Sequence, residues 1–362
     1  MSPPIPDASF WRGRRVFLTG HTGFVGGWTA LWLKHMGADV HGFALPAPTD
    51  PSFFAATGLA GRIAVSALGD IREREPLAKA AAAARPSIVL HLAAQPLVRA
   101  AFHDPVATFA TNAMGTAHLL DAVRGLSGLA AVVVFTTDKV YRNLNWPWPY
   151  RESDALGADE PYSGSKSAAE LVTEAFRNSY FTRLEKPVPV VTVRAGNIIG
   201  GGDWAQDRIV PDAVRAFSGG APLVIRNPKA VRPWQHVLDA ARGLLLVAER
   251  TAKNSLPVEI EAWNLGPGDA ETTPVSDLVE HLVRNWGEGA RWEHRGDNEV
   301  KEAHFLTLDS HQAARHLGWK PVWQVAAAVQ HSISWYRGFL AGDDMAKASL
   351  AEIERHVADV TL

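Results

Sequence analysis

Tyr162 and Lys166, in the segment Tyr-Ser-Gly-Ser-Lys, place a phenol and an ammonium group four residues apart. On an α-helix this spacing puts both side chains on one face. The lysine charge favours the phenolate, so we expect it to lower the pKa of Tyr162 from its ordinary value of about 10. A phenolate can take the proton of an alcohol while a hydride leaves the alcohol's carbon. The pair therefore predicts alcohol oxidation with Tyr162 as the base.

A second polar cluster, Thr137-Asp138-Lys139, follows a strand-like apolar run at residues 130–136. In parallel α/β sheets the carboxyl ends of the strands face the ligand. Thr137 can donate a hydrogen bond to the reacting oxygen, while Asp138 and Lys139 add an acid and a potential base. The alternative interpretation is a polar strand end with a local ion pair.

A glycine-rich segment lies between the first predicted strand and the first predicted helix. Gly20 allows a sharp turn, Gly23 lets the backbone approach a pyrophosphate, and Gly26 lets the helix pack on the strand. The helix N-terminus then offers amide groups and a positive dipole end to phosphates. A purely structural turn is the alternative. The predicted cofactor-binding residues of this loop are Gly20, His21, Thr22, Gly23, Phe24, Val25 and Gly26.

The loop and the Tyr-Lys pair together predict a nicotinamide cofactor, whose positive ring would favour the phenolate further. The acid that usually binds the adenosine ribose is missing after the second strand, where residues 42–46 read Gly-Phe-Ala-Leu-Pro. This feature therefore does not distinguish NAD from NADP, although NAD is the expected cofactor. Asp70 and Ile71 are predicted to flank the adenine, with a helix N-cap at Asp70 as the alternative. Leu92, Ala93 and Ala94, after the fourth strand, are also predicted to contact the cofactor.

The elements that must position these groups alternate between strand and helix over the first two-thirds of the chain. Strands are predicted at 15–19, 39–45, 63–67, 87–92, 130–136, 188–194 and 259–265. Helices are predicted from the glycine loop to 36 and at 112–124, 163–180, 208–217 and 237–249, with a mostly helical region from 273. This predicts an α/β protein with a Rossmann-type doubly wound parallel sheet and a smaller, mainly helical C-terminal substrate lobe. Residues 10–196, with 233–265, are assigned to an NAD-binding domain, and 197–232 and 266–350 to the lobe.

The composition excludes several classes of function. The chain has 362 residues and a formal net charge of -2, without the basic surplus of a nucleic-acid-binding protein. It contains no cysteine, which excludes disulfides and thiolate metal sites, and the histidine spacing predicts no metal site. We find no signal peptide and no membrane-length apolar run, so a cytoplasmic location without membrane association is expected.

Several segments together resemble the extended short-chain dehydrogenase/reductase family, over residues 10–335. Besides GHTGFVG and YSGSK, they are HLAAQPLVR, TTDKVY, NWPWPYRESDALGADEPYS, RAGNIIGGGDWAQDRIVPD and RPWQHVLD. Within the family, the Asp-Lys pair, the Trp-rich loop and GGGDWA are similar to the branch of 4,6-dehydratases that act on CDP-glucose. The substrate partner implied by the resemblance is CDP-glucose or a related nucleotide sugar, and a homodimer or homotetramer is expected. The predicted helices at 112–124 and 163–180 often form the dimer interface in this family.

The resemblance implies a redox-neutral reaction in three steps. C4 of the glucosyl unit is oxidised with the help of Tyr162, water is lost across C5 and C6, and the hydride returns to C6. By position, Asp138 would protonate the departing C6 hydroxyl. Related dehydratases that act on dTDP- and GDP-sugars carry Glu, the C5 base, where this chain has Lys139. Lys139 must be neutral to act as that base; otherwise it stabilises the enolate as a cation.

The remaining predicted contacts concern the substrate. Guanidinium groups suit phosphate oxygens, and tryptophan rings can stack on a base or cover a sugar. The predicted substrate-binding residues are Gln95, Arg99, Asn197, Arg208, Arg232 and Trp234. Two alternatives to the dehydratase stay open: a sugar-nucleotide 4-epimerase or reductase on the same scaffold, and a non-catalytic NAD-binding protein.

Overall fold

The computed structural model describes residues 4–157, 159–257, 259–267, 273–296 and 305–361 of the chain. Its strands are β1 (Arg15–Thr19), β2 (Asp39–Ala44), β3 (Val65–Leu68), β4 (Ile88–His91), β5 (Ala131–Phe135), β6 (Val190–Ala195), β7 (Asn197–Ile199), β8 (Leu223–Ile225), β9 (Val231–Arg232), β10 (Trp234–His236), β11 (Ala262–Leu265), β12 (Thr273–Pro274) and β13 (Trp292–His294).

Seven of these strands form one parallel sheet in the order β3-β2-β1-β4-β5-β6-β11. The chain moves outward from β1 to β3, returns to the centre, and continues through β4 to the other edge. The strand order therefore reverses between β1 and β4, which is the place where doubly wound sheets bind their ligands. The predicted Rossmann-type doubly wound sheet is confirmed.

The helices are α1 (Ala8–Trp11), α2 (Phe24–His35), α3 (Phe53–Ala56), α4 (Arg74–Ala84), α5 (Val98–His103), α6 (Pro105–Phe109), α7 (Gly115–Val123), α8 (Pro161–Ser179), α9 (Ile209–Ser218), α10 (Val237–Ala252), α11 (Val275–Trp286), α12 (His311–Leu317), α13 (Val325–Ala341) and α14 (Met345–Thr361). In the ranges that the structure describes, no helix combines the length and the apolar run that crossing a lipid bilayer requires.

Both faces of the sheet are buried, and successive strand residues pack into the core on opposite faces. In β1, Val16 and Leu18 join the core cluster that contains the buried faces of α2 and α10. Phe17, between them, joins a second cluster with residues of α4, α7 and α8. Near-continuous apolar strands are the sequence pattern of such a sheet.

The C-terminal part is mainly helical, as predicted, but it also holds small two-stranded pairings that the sequence did not reveal. β7 pairs with β10, β8 with β13, and β9 with β12. Each of these strands has only two or three residues. Strands this short carry too few residues to show an alternating pattern, which explains why they were missed.

Three predictions about helix starts differ from the structure. Helix α8 begins at Pro161 because the Glu160 carboxylate accepts hydrogen bonds from the amides of Tyr162 and Ser163, both at 2.7 Å. The N-cap alternative for Asp70 is wrong, since α4 begins only at Arg74 and its cap residue is Glu73. The predicted 112–124 helix begins with a wider π-type turn at Ala110–Met114 before α7.

A buried ion pair joins α8 to the central sheet. Arg194 of β6 donates to Glu170 of α8 at 2.8 Å, and their side chains are only 6% and 4% exposed. Glu170 also accepts from Thr136, directly after β5, and from Thr192 of β6 at 2.8 Å. Arg194 further donates to the Tyr141 hydroxyl at 2.9 Å. Burial alone would lower the pKa of Arg194, but the Glu170 carboxylate raises it above its ordinary value.

We predict that Arg194→Met destabilises the protein strongly, because it leaves the Glu170 carboxylate buried without its cation. The expected loss is about 3–5 kcal/mol in the free energy of unfolding, measured by urea denaturation. Lys79→Met is the control, since Lys79 pairs with Glu75 on the surface with both side chains more than 70% exposed. It should cost no more than about 0.5 kcal/mol. A loss below about 1 kcal/mol for Arg194→Met would contradict the prediction.

Candidate active site

The glycine-rich loop turns sharply at Gly20, whose φ of +83° is a conformation that glycine adopts readily. A Cβ on Gly20 would lie 2.7 Å from the Ala93 amide nitrogen, so the loop touches the chain that leaves β4. A Cβ on Gly26 would lie 2.0 Å from the Gly20 carbonyl oxygen, so α2 packs directly on the turn. Gly23 is the N-cap residue of α2. The loop thus directs a helix N-terminus toward the switch point of the sheet.

His21 and Thr22 turn their side chains away from the helix N-terminus. The His21 ring packs where a Cβ of Gly42 in β2 would stand, and its Nε2 hydrogen-bonds with Ser66 Oγ at 2.8 Å. Burial lowers the pKa of His21 to about 4, so the ring is neutral at physiological pH. Thr22 donates to the Leu45 carbonyl at 2.8 Å. Their predicted cofactor contacts stay predictions, and the main-chain groups of these two residues are the ones left to make them.

Leu92 and Ala93 are held against the glycine loop by Thr19, the last residue of β1. The amides of Leu92 and Ala93 donate to the Thr19 carbonyl and hydroxyl, both at 3.2 Å. The Thr19 hydroxyl in turn lies 2.7 Å from His91 Nδ1. The structure thus brings the predicted segment Leu92, Ala93 and Ala94 beside Gly20, at one edge of the sheet.

Asp70 and Ile71 are engaged by the protein itself. Asp70 accepts from the Arg72 amide at 2.8 Å and from the Arg72 guanidinium, which lowers the pKa of Asp70. The Ile71 side chain is buried in the core cluster beneath α4 and α7, at the point where Gly115 leaves space for it. Their predicted adenine contacts stay predictions.

Tyr162 and Lys166 lie in the first two turns of α8 and are both buried. Lys166 Nζ donates to the Phe135 carbonyl at the end of β5, at 3.3 Å. Burial lowers the pKa of Lys166 to about 8, although Glu170, one turn further along α8, acts to raise it. This part of α8 therefore faces the carboxyl end of β5, as the spacing predicts.

Burial raises the pKa of Tyr162 to about 12; a hydrogen bond with Thr137 and the charge of Arg208 partly oppose this shift, while Asp138 adds to it. The lowering predicted from Lys166 together with the nicotinamide is not present in the protein alone, because desolvation of the phenolate outweighs the hydrogen bond with Thr137 and the charge of Arg208. A lowering by the bound nicotinamide cation stays a prediction.

Thr137, Asp138 and Lys139 form a connected group at the end of β5. The carboxylate of Asp138 is fully buried, and its Oδ1 accepts from Thr137 Oγ1 at 3.0 Å and from Lys139 Nζ at 2.9 Å. Its Oδ2 is buried and has no hydrogen-bond partner among the described residues. The local ion pair considered as an alternative does exist, but a second buried carboxylate oxygen is left for a further group.

Lys139 also contacts β7, which lies outside the central sheet. Its Nζ donates to Asn197 Oδ1 at 3.2 Å, and Asn197 of β7 stands opposite Trp234 of β10. Trp234 and Arg232 are buried, and Trp234 Nε1 donates to the Thr273 carbonyl at 3.2 Å. The short β7–β10 pairing therefore places Asn197 beside the Asp138-Lys139 pair.

Hydrogen bonds of Gln95 and Asn112 hold the loop after β4 in place. The Asn112 side chain accepts from the Gln95 amide at 2.8 Å and donates to Ser165 Oγ in α8 at 2.8 Å. The Gln95 side chain donates to Thr108 at 2.9 Å and accepts from the Leu97 amide at 2.6 Å. Gln95 thus serves local structure, and its predicted contact with the substrate stays a prediction.

Two arginines that were predicted to bind the substrate form ion pairs with aspartates of the loop before α9. Arg208 pairs with the buried carboxylate of Asp203 at 3.1 Å and is close enough to Tyr162 to affect its pKa. Arg99 lies 3.6 Å from Asp207. Four acidic residues near the site were not predicted from the sequence: Glu160, Glu170, Asp203 and Asp207. Glu160 could have been predicted from the Glu-Pro pair, which is typical of a helix start, and Glu170 from its spacing of four residues from Lys166. No local sequence pattern distinguishes the two aspartates.

These features fit a dinucleotide cofactor. The glycine loop is a cradle that a Cβ at Gly20 or Gly26 would fill with a clash against backbone. The turn after β4 and the face of α8 with Tyr162 and Lys166 continue the same edge of the sheet. Asp138 Oδ2 adds a buried polar atom that has no hydrogen-bond partner among the residues that the structure describes.

Comparison with known proteins agrees with this architecture. A profile of the NAD dependent epimerase/dehydratase family matches residues 16–266. A CDP-glucose 4,6-dehydratase from Salmonella typhimurium is 45% identical over 358 residues, which cover 98% of this chain and 99% of that protein. A UDP-glucuronate 4-epimerase from Arabidopsis thaliana is 27% identical, covering 93% of this chain and 78% of its own length.

Among solved structures, a UDP-glucose 4-epimerase from Thermotoga maritima superposes with a TM-score of 0.77 at 21% identity, covering 90% of this chain and 99% of that one. At that identity the likeness concerns the fold alone. The family profile spans well over half of this chain, and the Salmonella relative aligns along nearly all of it. The chain therefore belongs to the NAD-dependent epimerase/dehydratase family.

Proposed function

We propose that this protein is a CDP-glucose 4,6-dehydratase, a hydro-lyase that converts CDP-glucose into CDP-4-keto-6-deoxyglucose and water. The observation that carries the proposal is the pair of the buried Asp138 and the partly buried Lys139, joined through Thr137 to Tyr162. A 4-epimerase needs the Tyr-Lys pair but no acid for an elimination. The 45% identity to the Salmonella dehydratase over almost the whole chain supports the same activity.

NAD, held by the glycine loop, would supply the redox chemistry of this reaction, as the hydride acceptor for C4 of the glucosyl unit and the hydride donor for C6. Tyr162, as phenolate, takes the proton of the C4 hydroxyl during the oxidation. Lys166, buried one turn further along α8, adds positive charge close to the phenolate. The main-chain groups of the glycine loop and the helix N-terminus bind the pyrophosphate.

The 4-ketone acidifies the C5 proton, so the next step needs a base at C5 and an acid at C6. We assign the base to Lys139 in its neutral form and the acid to protonated Asp138, which converts the departing hydroxyl into water. After this step Lys139 is an ammonium and Asp138 a carboxylate, which is the ion pair that the structure shows at 2.9 Å. Lys139 returns its proton to C5 as C6 receives the hydride.

One proton remains to be balanced, because Tyr162 has gained one from the C4 hydroxyl and Asp138 has lost one to water. Thr137 lies between them: its hydroxyl is 3.0 Å from Asp138 Oδ1 and is hydrogen-bonded with Tyr162. We propose that this hydroxyl passes the proton from Tyr162 to Asp138 and so resets both groups for the next turnover.

We predict that the purified protein with CDP-glucose and NAD yields a sugar nucleotide lighter by one water, without net formation of NADH, as measured by mass spectrometry and absorbance. Tyr162→Phe should lower the rate about 10²–10⁴-fold, since it removes the general base. An unchanged mass with inverted configuration at C4 would instead support the alternative 4-epimerase. Bound NAD without turnover of any nucleotide sugar would support the non-catalytic alternative.

For Lys139, we predict that Lys139→Ala lowers the incorporation of solvent deuterium at C5 about 10²–10⁴-fold while C4 oxidation continues. Lys139→Glu should restore part of the exchange, because a carboxylate can also take the C5 proton. If Lys139 instead acts as a cation that stabilises the enolate, the Glu variant should be slower than the Ala variant. Undiminished exchange in Lys139→Ala would exclude Lys139 as the base.

We also propose a homodimer, formed through an outer face of α5, α6 and α8. The proposed interface takes in the exposed side chains of these helices and of the adjoining π-type turn, namely Phe102, Val106, Phe109, Met114 and Leu171. Apolar patches of this kind often mark protein interfaces. Val106→Glu should convert the dimer to a monomer in size-exclusion chromatography with light scattering. The control is Leu68→Glu, at the exposed β3 edge; a monomeric wild type or an unaffected Val106→Glu variant would refute the interface.

The division into domains is also part of the proposal: residues 10–196 and 233–265 bind NAD, and 197–232 and 266–350 bind the substrate. Its support is that β11 completes the central sheet, while Asn197, Arg208 and Arg232 lie outside that sheet. Residues 268–272 and 297–304 lie outside the described ranges. The cytoplasmic location stays a prediction.

A further inference from the structure

His91, the last residue of β4, is a buried histidine that the proposed reaction does not use. Its Nδ1 lies 2.7 Å from the Thr19 hydroxyl at the end of β1, and its Nε2 lies 3.1 Å from the Thr116 hydroxyl in α7. The residue is only 2% exposed. His91 therefore connects the strand that leads into the glycine loop with the helix that follows the π-type turn.

The hydrogen bonds at Thr116 fix which ring nitrogen of His91 carries the proton. The Thr116 hydroxyl donates to the Asn112 carbonyl at 2.6 Å, because a carbonyl oxygen can only accept. Thr116 Oγ1 must then accept from His91, so Nε2 carries the hydrogen. A neutral ring leaves Nδ1 as an acceptor, and the Thr19 hydroxyl donates to it. Burial, with a smaller contribution from the Lys166 charge, lowers the pKa of His91 to about 3 and keeps the ring neutral.

The series of hydrogen bonds continues beyond both hydroxyls. On one side, Thr19 Oγ1 accepts from the Ala93 amide at 3.2 Å, where the chain touches the glycine loop. On the other side, the Asn112 side chain donates to Ser165 Oγ in α8 at 2.8 Å, and Ser165 donates to the Tyr162 carbonyl at 2.7 Å. One connected series thus extends from the glycine loop, through the imidazole ring, to the helix that carries the phenol.

This series separates two groups that must stand in a fixed relation. The predicted cofactor contacts at residues 92–94 lie at one end, and Tyr162 and Lys166 lie at the other. Reacting atoms must approach to about 3–3.5 Å for an efficient transfer, so a small shift between the two ends is costly. No hydroxyl of the series can reverse its hydrogen bond without leaving a buried polar atom unpaired, which keeps the two ends in one relative position.

We propose that His91 is a positioning residue, whose neutral ring with the hydrogen on Nε2 holds the predicted cofactor-binding turn after β4 in a fixed position relative to α8. The inference concerns cofactor binding, so it applies to an epimerase as well as to a dehydratase and does not depend on the sugar nucleotide. It makes a specific claim about the hydroxyls of Thr19 and Thr116: they act on NAD binding through the same ring, so their contributions are not independent.

The test measures the dissociation constant of NAD by calorimetry, without any sugar nucleotide. Thr19→Val and Thr116→Val each remove one hydroxyl from the series and should weaken NAD binding about 3-fold to 10-fold. The double variant should bind NAD about as weakly as the weaker single variant, because interrupting the series once already releases the turn. Wild-type affinity in either single variant, or losses that multiply in the double variant, would overturn the proposal.

Thr173→Val is the matched control for Thr116→Val. Thr173 is buried in α8, and its hydroxyl donates at 2.7 Å to the carbonyl of Ala169, four residues earlier, just as Thr116 donates to Asn112. The control variant loses the same type of helix hydrogen bond but lies outside the series, so its NAD affinity should be unchanged. An equal loss of NAD affinity in Thr173→Val would mean that general destabilisation explains the effect, and the proposal would fail.

A second readout uses the wild-type protein without NAD. In protein with isotope-labelled histidine, the NMR shifts of the His91 ring nitrogens should show the hydrogen on Nε2 and stay unchanged between about pH 5 and about pH 9. The signal is assigned by its absence from His91→Gln or by its shift in Thr116→Val. A hydrogen on Nδ1, or titration of the ring near its ordinary pKa of about 6.5, would contradict the proposal.

Discussion

The active edge of this protein depends on the buried ion pair between Glu170 and Arg194. Helix α8 carries Tyr162 and Lys166, and its position over the sheet is fixed where Glu170 meets Arg194, Thr136 and Thr192. The same arginine reaches Tyr141, whose hydroxyl donates to Asn264 of β11 at 2.6 Å. One buried network thus connects the catalytic helix to three strands. Because an unpaired charge at this depth is costly, the elements can hardly shift independently.

Above this network, burial shifts the pKa values of Tyr162 and Lys166, the two predicted catalytic groups of α8. The pKa of Tyr162 is raised and that of Lys166 lowered, because desolvation disfavours the charged form of each. A cationic cofactor ring favours the phenolate, so the protein alone holds Tyr162 protonated and the complex can release its proton. The Thr137 hydroxyl hydrogen-bonds with Tyr162 and with Asp138, so the phenol and the buried carboxylate belong to one hydrogen-bonded group.

The residues that are predicted to bind the substrate are positioned in a different way. Asn197, Arg208 and Arg232 lie on short strands and loops rather than on the central sheet, and their positions come from an ion pair and two-stranded pairings. Such elements are free to vary without disturbing the sheet, which is consistent with one scaffold serving epimerases and dehydratases. The central sheet and α8 position the Tyr162-Lys166 and Asp138-Lys139 groups, whereas Asn197 and Trp234 come from short strands outside that sheet.

The sequence by itself determined the parallel sheet, the cofactor loop and the catalytic Tyr-Lys pair. Each depends on residues close together in the chain: alternating apolar strands and helices, glycines at turns, and spacing along one helix. Only the tertiary structure decided that Asp70 is held by Arg72, that Gln95 serves the loop after β4, and that burial raises the pKa of Tyr162. It also decided the meeting of Arg99, Asp207 and Arg226, residues more than a hundred positions apart at the extremes. Desolvation and long-range ion pairs arise from packing, so no local pattern encodes them.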